Sequence, residues 1–220
     1  MKRIAIALTL VLLAAGASCI KLTRPYKEIS YYQIQYDSPK AEGMPHGDVV
    51  VRIPSFDVSP SFDRLKIMYS TSALSLKTYE YNHWITNIGE MLSDLLIRDM
   101  VASGLYKAVI DMKSSIVPQY EAEGTVEKVY ERDDGSDWYS VLQLRCIFFA
   151  YNSGKYVLFQ RVYRQEVKTA GHEPADIVAA LSDAEKNISA SVQKDMNEAI
   201  TNYELVKKQK EEMEKKLGTK

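Results

Sequence analysis

The chain has 220 residues, 46% hydrophobic and 26% charged, enough for one globular core; this composition excludes collagen-like, disordered and disulfide-framework classes. Lys+Arg 28 against Asp+Glu 29 leaves a net charge of −1, so no basic surplus drives counterion release from nucleic acid, which is not an expected partner. The 15 tyrosines, rings that bury a face while keeping a hydroxyl wet, suit strand faces and interfaces.

At the N-terminus Lys2 and Arg3 precede an uncharged run from Ile4 to Ala15, and Gly16, Ala17 and Ser18 then lead to Cys19. A basic start, an apolar stretch and small residues predict a secretory signal peptide over residues 1–18. The run falls short of the roughly 20 apolar residues that cross a bilayer, which leaves an uncleaved short anchor as the alternative. The small residues before Cys19 resemble the lipobox of bacterial lipoproteins. That resemblance implies cleavage before Cys19 and acylation of its thiol. Ile20 in place of Asp next to it implies sorting to the outer membrane of a Gram-negative envelope. Acyl chains hold a domain on a bilayer at about 0.8 kcal/mol per buried CH₂ without a spanning helix. Cys146, the other cysteine, alternates with Leu142, Leu144 and Phe148, which predicts a buried, inert thiol.

Residues 19–30 read as the lipidated N-terminus and a tether, 31–206 as a single α+β domain, and 207–220 as a charged tail. Within the domain, Tyr31 to Tyr36 and Asp48 to Ile53 are strand candidates. Leu65, Ile67 and Tyr69 alternate with Arg64, Lys66 and Met68, and a second strand from Leu74 to Tyr81 completes a hairpin. Ile88, Met91, Leu92, Leu95, Leu96 and Met100 recur at helical spacing, with Thr86 or Asn87 as N-cap and Gly104 past the end, which predicts a helix over about 87–103. Tyr120, Ala122, Val126 and Tyr130 share one strand face, and Glu121, Glu123, Thr125 and Glu127 the wet one. Turns at Asp133-Asp134-Gly135-Ser136 and Asn152-Ser153-Gly154 divide this strand from Trp138–Tyr151 and Lys155–Val167, giving a three-stranded antiparallel meander. Pro174 opens a long helix whose inner stripe is Ile177, Leu181, Ala184, Ile188, Val192, Met196, Ile200 and Tyr203. The predicted fold is α+β, an antiparallel or mixed sheet of six or seven strands with two main helices packed on one face.

Tests for chemistry are negative. His46, His83 and His172 lie in separate segments without metal-ligand spacing, and the nucleophile-elbow, phosphate-loop and dinucleotide patterns are absent. Asp133, Asp134 and Asp137 lack the order of a calcium loop. No cofactor, no metal and no catalytic residues are expected.

Val49-Val50-Val51-Arg52-Ile53-Pro54, then Phe62 through Tyr69, Leu74 and Tyr81-Asn82-His83-Trp84, together with Ile29-Ser30-Tyr31-Tyr32 and Ala180-Leu181-Ser182, resemble the auxiliary lipoproteins of ABC-type lipid transporters that accompany MCE-domain proteins. The resemblance implies a non-enzymatic adaptor in the periplasm. It docks with an MCE-domain protein, and through it with a permease and an ATPase, in a system moving phospholipids or other hydrophobic molecules between membranes. The other expected partners are the membrane, through Cys19, and further copies of the chain. An adaptor of a cell-wall or secretion machine and a stand-alone lipid carrier are the alternatives. Tyr69, Tyr79, Tyr81, His83 and Trp84 are the candidate contact residues, since Trp and Tyr dominate interfaces; for Trp84 a place in the core is the competing reading.

Overall fold

The computed structural model describes residues 26–151 and 154–218. The signal peptide, Cys19, the first part of the tether and residues 152–153 of the second meander turn lie outside the described residues. In chain order the elements are β1 (Ser30–Tyr32), β2 (Gly47–Arg52), β3 (Asp57–Val58), β4 (Lys66–Ser72), β5 (Ser75–Trp84), α1 (Ile88–Ser103), β6 (Tyr106–Ile110), β7 (Tyr120–Asp133), β8 (Trp138–Tyr151), β9 (Lys155–Lys168) and α2 (Pro174–Gly218).

The long strand β7 is the spine of a mixed sheet. On one side it pairs antiparallel with β8, which pairs antiparallel with β9, so the predicted meander is present. Along its other edge three short strands line up end to end, all parallel to it: β2 beside Tyr120, β3 beside Thr125 and β4 beside Glu131. β5 closes the hairpin on β4, β1 lies parallel to β5, and β6 lies parallel to β2. Both helices pack on one face, as the apolar periodicities require. From β8, Leu142, Leu144, Cys146 and Phe148 meet the α2 stripe, Ile177 through Ile200, with every one of these side chains buried. Each fully buried Leu, Ile or Phe contributes about 1.5–3 kcal/mol. The Asn87 side chain caps α1 by accepting from the Gly89 N–H at 2.8 Å, and Gly104 closes it at φ 64°, a left-handed conformation that glycine adopts freely.

Four expectations are corrected. The described residues hold nine strands, not six or seven, because β3 and β6 are too short to show a period. β1 stops at Tyr32 rather than Tyr36, because the chain leaves the sheet there and crosses both helices. The Ile34 N–H reaches Met91 Sδ on α1, the Gln35 N–H donates to Ser182 Oγ on α2, and Tyr36 and Ser38 donate to Asp99. A β-bulge at Glu127 then flips the alternation of β7. Beyond it Val129 and Glu131, not Tyr130, face the helices, with Val129 opposite Leu142 and Glu131 opposite Ser140, whose hydroxyl donates to the Ile177 carbonyl of α2. Finally, Glu121 is not on a wet face. It is 5% exposed, and Tyr151 donates to it at 2.7 Å while Arg52 and Lys155 stand 3.7 and 3.4 Å away.

Candidate partner-contact surface

The five candidate contact residues fall into three environments. Trp84 is 2% exposed and belongs to the core, its backbone N–H donating to the Leu65 carbonyl at 2.7 Å, which corrects the reading of this ring as contact surface. A buried ring offers a partner nothing until the domain opens. Tyr69 and Tyr79 form a half-buried pair with ring centroids 4.8 Å apart, and the Tyr79 hydroxyl donates to Glu131 at 2.6 Å. Tyr81 and His83 remain at the surface. His83 stands edge-on to Tyr31 at 6.1 Å, Lys27 lies 4.8 Å from the Tyr81 ring centre, and Lys66 pairs with Glu80 at 2.8 Å beside them. Aromatic rings bordered by an ion pair and a lysine ammonium have the make-up of an interface rim.

The linear sequence gives no sign of the acids that the fold buries, of which Glu131 touches this region through Tyr79. Burial raises the Glu131 carboxyl above its ordinary value despite the Tyr79 hydrogen bond, whereas Glu127, four residues earlier, is lowered by hydrogen bonds from Gln143 and Arg145. Between the helices, Asp99 accepts from Tyr36, Ser38, Ser189 and Arg98. Glu185 beside it is fully buried, and that burial, reinforced by the negative charge of Asp99, raises its carboxyl well above 4.5. One Glu185 oxygen has no hydrogen-bond partner. Acids on predicted helices read as solvent-facing, so only tertiary structure reveals this pair. Burial also pushes the Cys146 thiol up to about 12, in keeping with an inert core position.

An open groove of about 1170 Å³ lies between the β4–β5 turn and the β7–β8 turn, lined by Phe62, Leu74, Leu76, Lys128 and Tyr130 among others. The space between β8 and α2 is filled by side chains rather than hollow. Among the described residues no group of His, Cys, Asp and Glu is arranged to hold a metal ion, and no helix is long and apolar enough to cross a membrane.

Protein XCC0632 from Xanthomonas campestris, assigned to the family DUF330, has the same fold. It superposes with a TM-score of 0.73 at 15% identity over 80% of this chain and 99% of that one. A second crystal structure, of an uncharacterized protein, gives a TM-score of 0.62 at 15% identity over 77% of this chain and 99% of that one. No curated protein sequence matches the chain. Residues 32–193, which run from the end of β1 through β2 to β9 and into the first half of α2, match one family throughout. The chain belongs to the ABC-type transport auxiliary lipoprotein components.

Proposed function

We propose that this protein is acylated at Cys19 after removal of residues 1–18, faces the periplasm of a Gram-negative envelope from the outer membrane, and serves as a non-catalytic adaptor. Its partner in this reading is the MCE-domain subunit of an ABC-type system that moves phospholipids or other hydrophobic molecules. The observation that carries the reading is the match of residues 32–193 to the auxiliary lipoprotein family. The packed layer between β8 and α2 favours an adaptor over a stand-alone lipid carrier, since it leaves no room there for acyl chains. Residues 31–206 act as one unit behind a short tether, and Tyr81 and His83, flanked by Tyr69 and Tyr79, supply the contact with the partner.

The test is capture of the tagged full-length protein from native membranes in mild detergent, with mass spectrometry of the proteins retained. An MCE-domain protein with its permease and ATPase is the expected result. Cell-wall enzymes or a secretion pore in their place overturn the assignment of partner. A protein recovered in light, inner-membrane fractions overturns the outer-membrane placement.

A further inference from the structure

The tether and the β4–β5 turn point the same way. β1 runs parallel to β5 with Ser30 beside Asn82, so the chain upstream of Ser30 heads back along β5 toward the turn. Tyr26, Lys27 and Ile29 accordingly line a shallow pocket with Lys66, Glu80 and Tyr81. At the turn Leu74 is 99% exposed, with half-exposed Leu76 two residues on. From Ser70 to Leu76 the hairpin end carries only hydroxyl, methyl and leucine side chains, and Lys77 follows. An uncharged, hydroxyl-rich turn with a leucine at its apex suits the layer between lipid headgroups and acyl chains, where a nearby lysine meets phosphate.

Chain length makes the same point. From Cys19 to Tyr26 the sequence spans at most ~25 Å when extended. The stretch of β5 from Glu80 back to Leu74 spans ~20 Å at the ordinary strand rise. A tether running past the hairpin therefore reaches at most about 5 Å beyond the Leu74 apex when fully extended. The β7–β8 turn reaches the same level, since Ser70 pairs with Arg132, and two of its three aspartates are matched by cations: Arg132 to Asp134 at 3.1 Å and Lys168 to Asp137 at 2.6 Å. The third, Asp133, accepts from the Gly135 N–H at 2.7 Å.

We infer that the β4–β5 turn, with Leu74 at its apex, rests in the interfacial layer of the bilayer that holds Cys19 and fixes the orientation of the domain on it. The inference rests on acylation of Cys19. Because α2 begins beside the β7–β8 end and its Tyr203 meets Tyr120 at the opposite end of the meander, this orientation aims the exposed end of α2 away from the lipid.

Full-length acylated protein carrying Leu74→Cys, labelled with nitrobenzoxadiazole and reconstituted in phosphatidylethanolamine/phosphatidylglycerol vesicles, tests it; Cys146 is buried and stays unlabelled. The expected result is blue-shifted emission quenched by lipid-borne nitroxides, while the same probe at Met213→Cys reports water. A Leu74→Cys probe that stays in water on protein floating with the vesicles overturns the inference and leaves the anchor intact. Shielding that appears only when native membrane proteins are added assigns the turn to a protein partner and also overturns it. Protein that neither floats nor carries acyl groups on Cys19 overturns the anchor and the inference together.

Discussion

The two halves of the sheet are held together by different means. The meander is three strands of 14 residues in near-continuous antiparallel register under one helix. The β1–β6 half is made of strands of 2 to 10 residues, and each of β2, β3 and β4 meets β7 through only two register pairs. Parallel strands need long connections, so this half is joined by loops, by α1 and by the segment that crosses both helices. Its cohesion comes from side chains reaching across: the Phe56 ring on Gly124, Phe62 stacked on Tyr130 at 5.9 Å, and Tyr79 on Glu131. A regular ladder tolerates the loss of one contact better than a half stitched by single contacts.

Trp84→Ala breaks the second half most. The cavity left by a buried Trp costs about 3–5 kcal/mol in urea unfolding. Hydrogen exchange is expected to rise in β1, β4 and β5 while the β8 amides stay protected; equal loss of protection in both halves abolishes the distinction. Gly124→Ala comes next. A methyl there lies 2.3 Å from the Phe56 ring, and the overpacking lowers stability by about 1–3 kcal/mol. Phe56→Leu in the same chain recovers part of that loss, which a double-mutant cycle measures as coupling.

Glu185 sits where α1 meets α2, and its carboxyl is raised above 4.5 by burial first and by Asp99 second. Between 4.5 and that higher value the folded state holds a proton that the unfolded chain releases. Its contribution is therefore complete below 4.5 and declines as pH rises through the folded value. Urea midpoints at pH 5 and pH 8 are expected to differ less in Glu185→Gln than in the parent chain; Glu131, raised in the same direction, leaves a residual slope in the variant. An unchanged slope in Glu185→Gln shows that the carboxyl is not buried protonated. The smallest stability effect belongs to Tyr81→Ala with His83→Ala. Surface truncations of this kind change stability by no more than about 0.5 kcal/mol. Partner capture from membranes is nevertheless expected to fall, and full capture by a stable variant removes these two residues from the interface.

How legible each half was follows the same division. The α2 stripe from Ile177 to Ile200, the meander and the Asn87 and Gly104 caps are visible in the sequence because each has a period or a local chemical signature. β3 and β6 have neither, since two to five residues carry no period. The bulge at Glu127 is one extra residue, and nothing in the sequence marks it, so Tyr130 was expected on the wrong face. Among the contact residues, Tyr81 and His83 stayed at the surface, whereas Trp84 went inside. Residue type alone does not separate a ring that packs inward from one that faces out; the β1 and β4 neighbours of Trp84 decide it.

The outer edge of β9 pairs with no strand among the described residues, which leaves a template fourteen residues long for another chain to extend. Lys155, Arg161, Arg164 and Lys168 punctuate it with positive charge, and Leu158, the extra residue of the second bulge, interrupts its flat register. Arg161 is tied to Asp195 and Arg164 to Glu166, so these guards are held in place along the strand. Resistance to fibril-like stacking is thus written into the strand that completes the sheet.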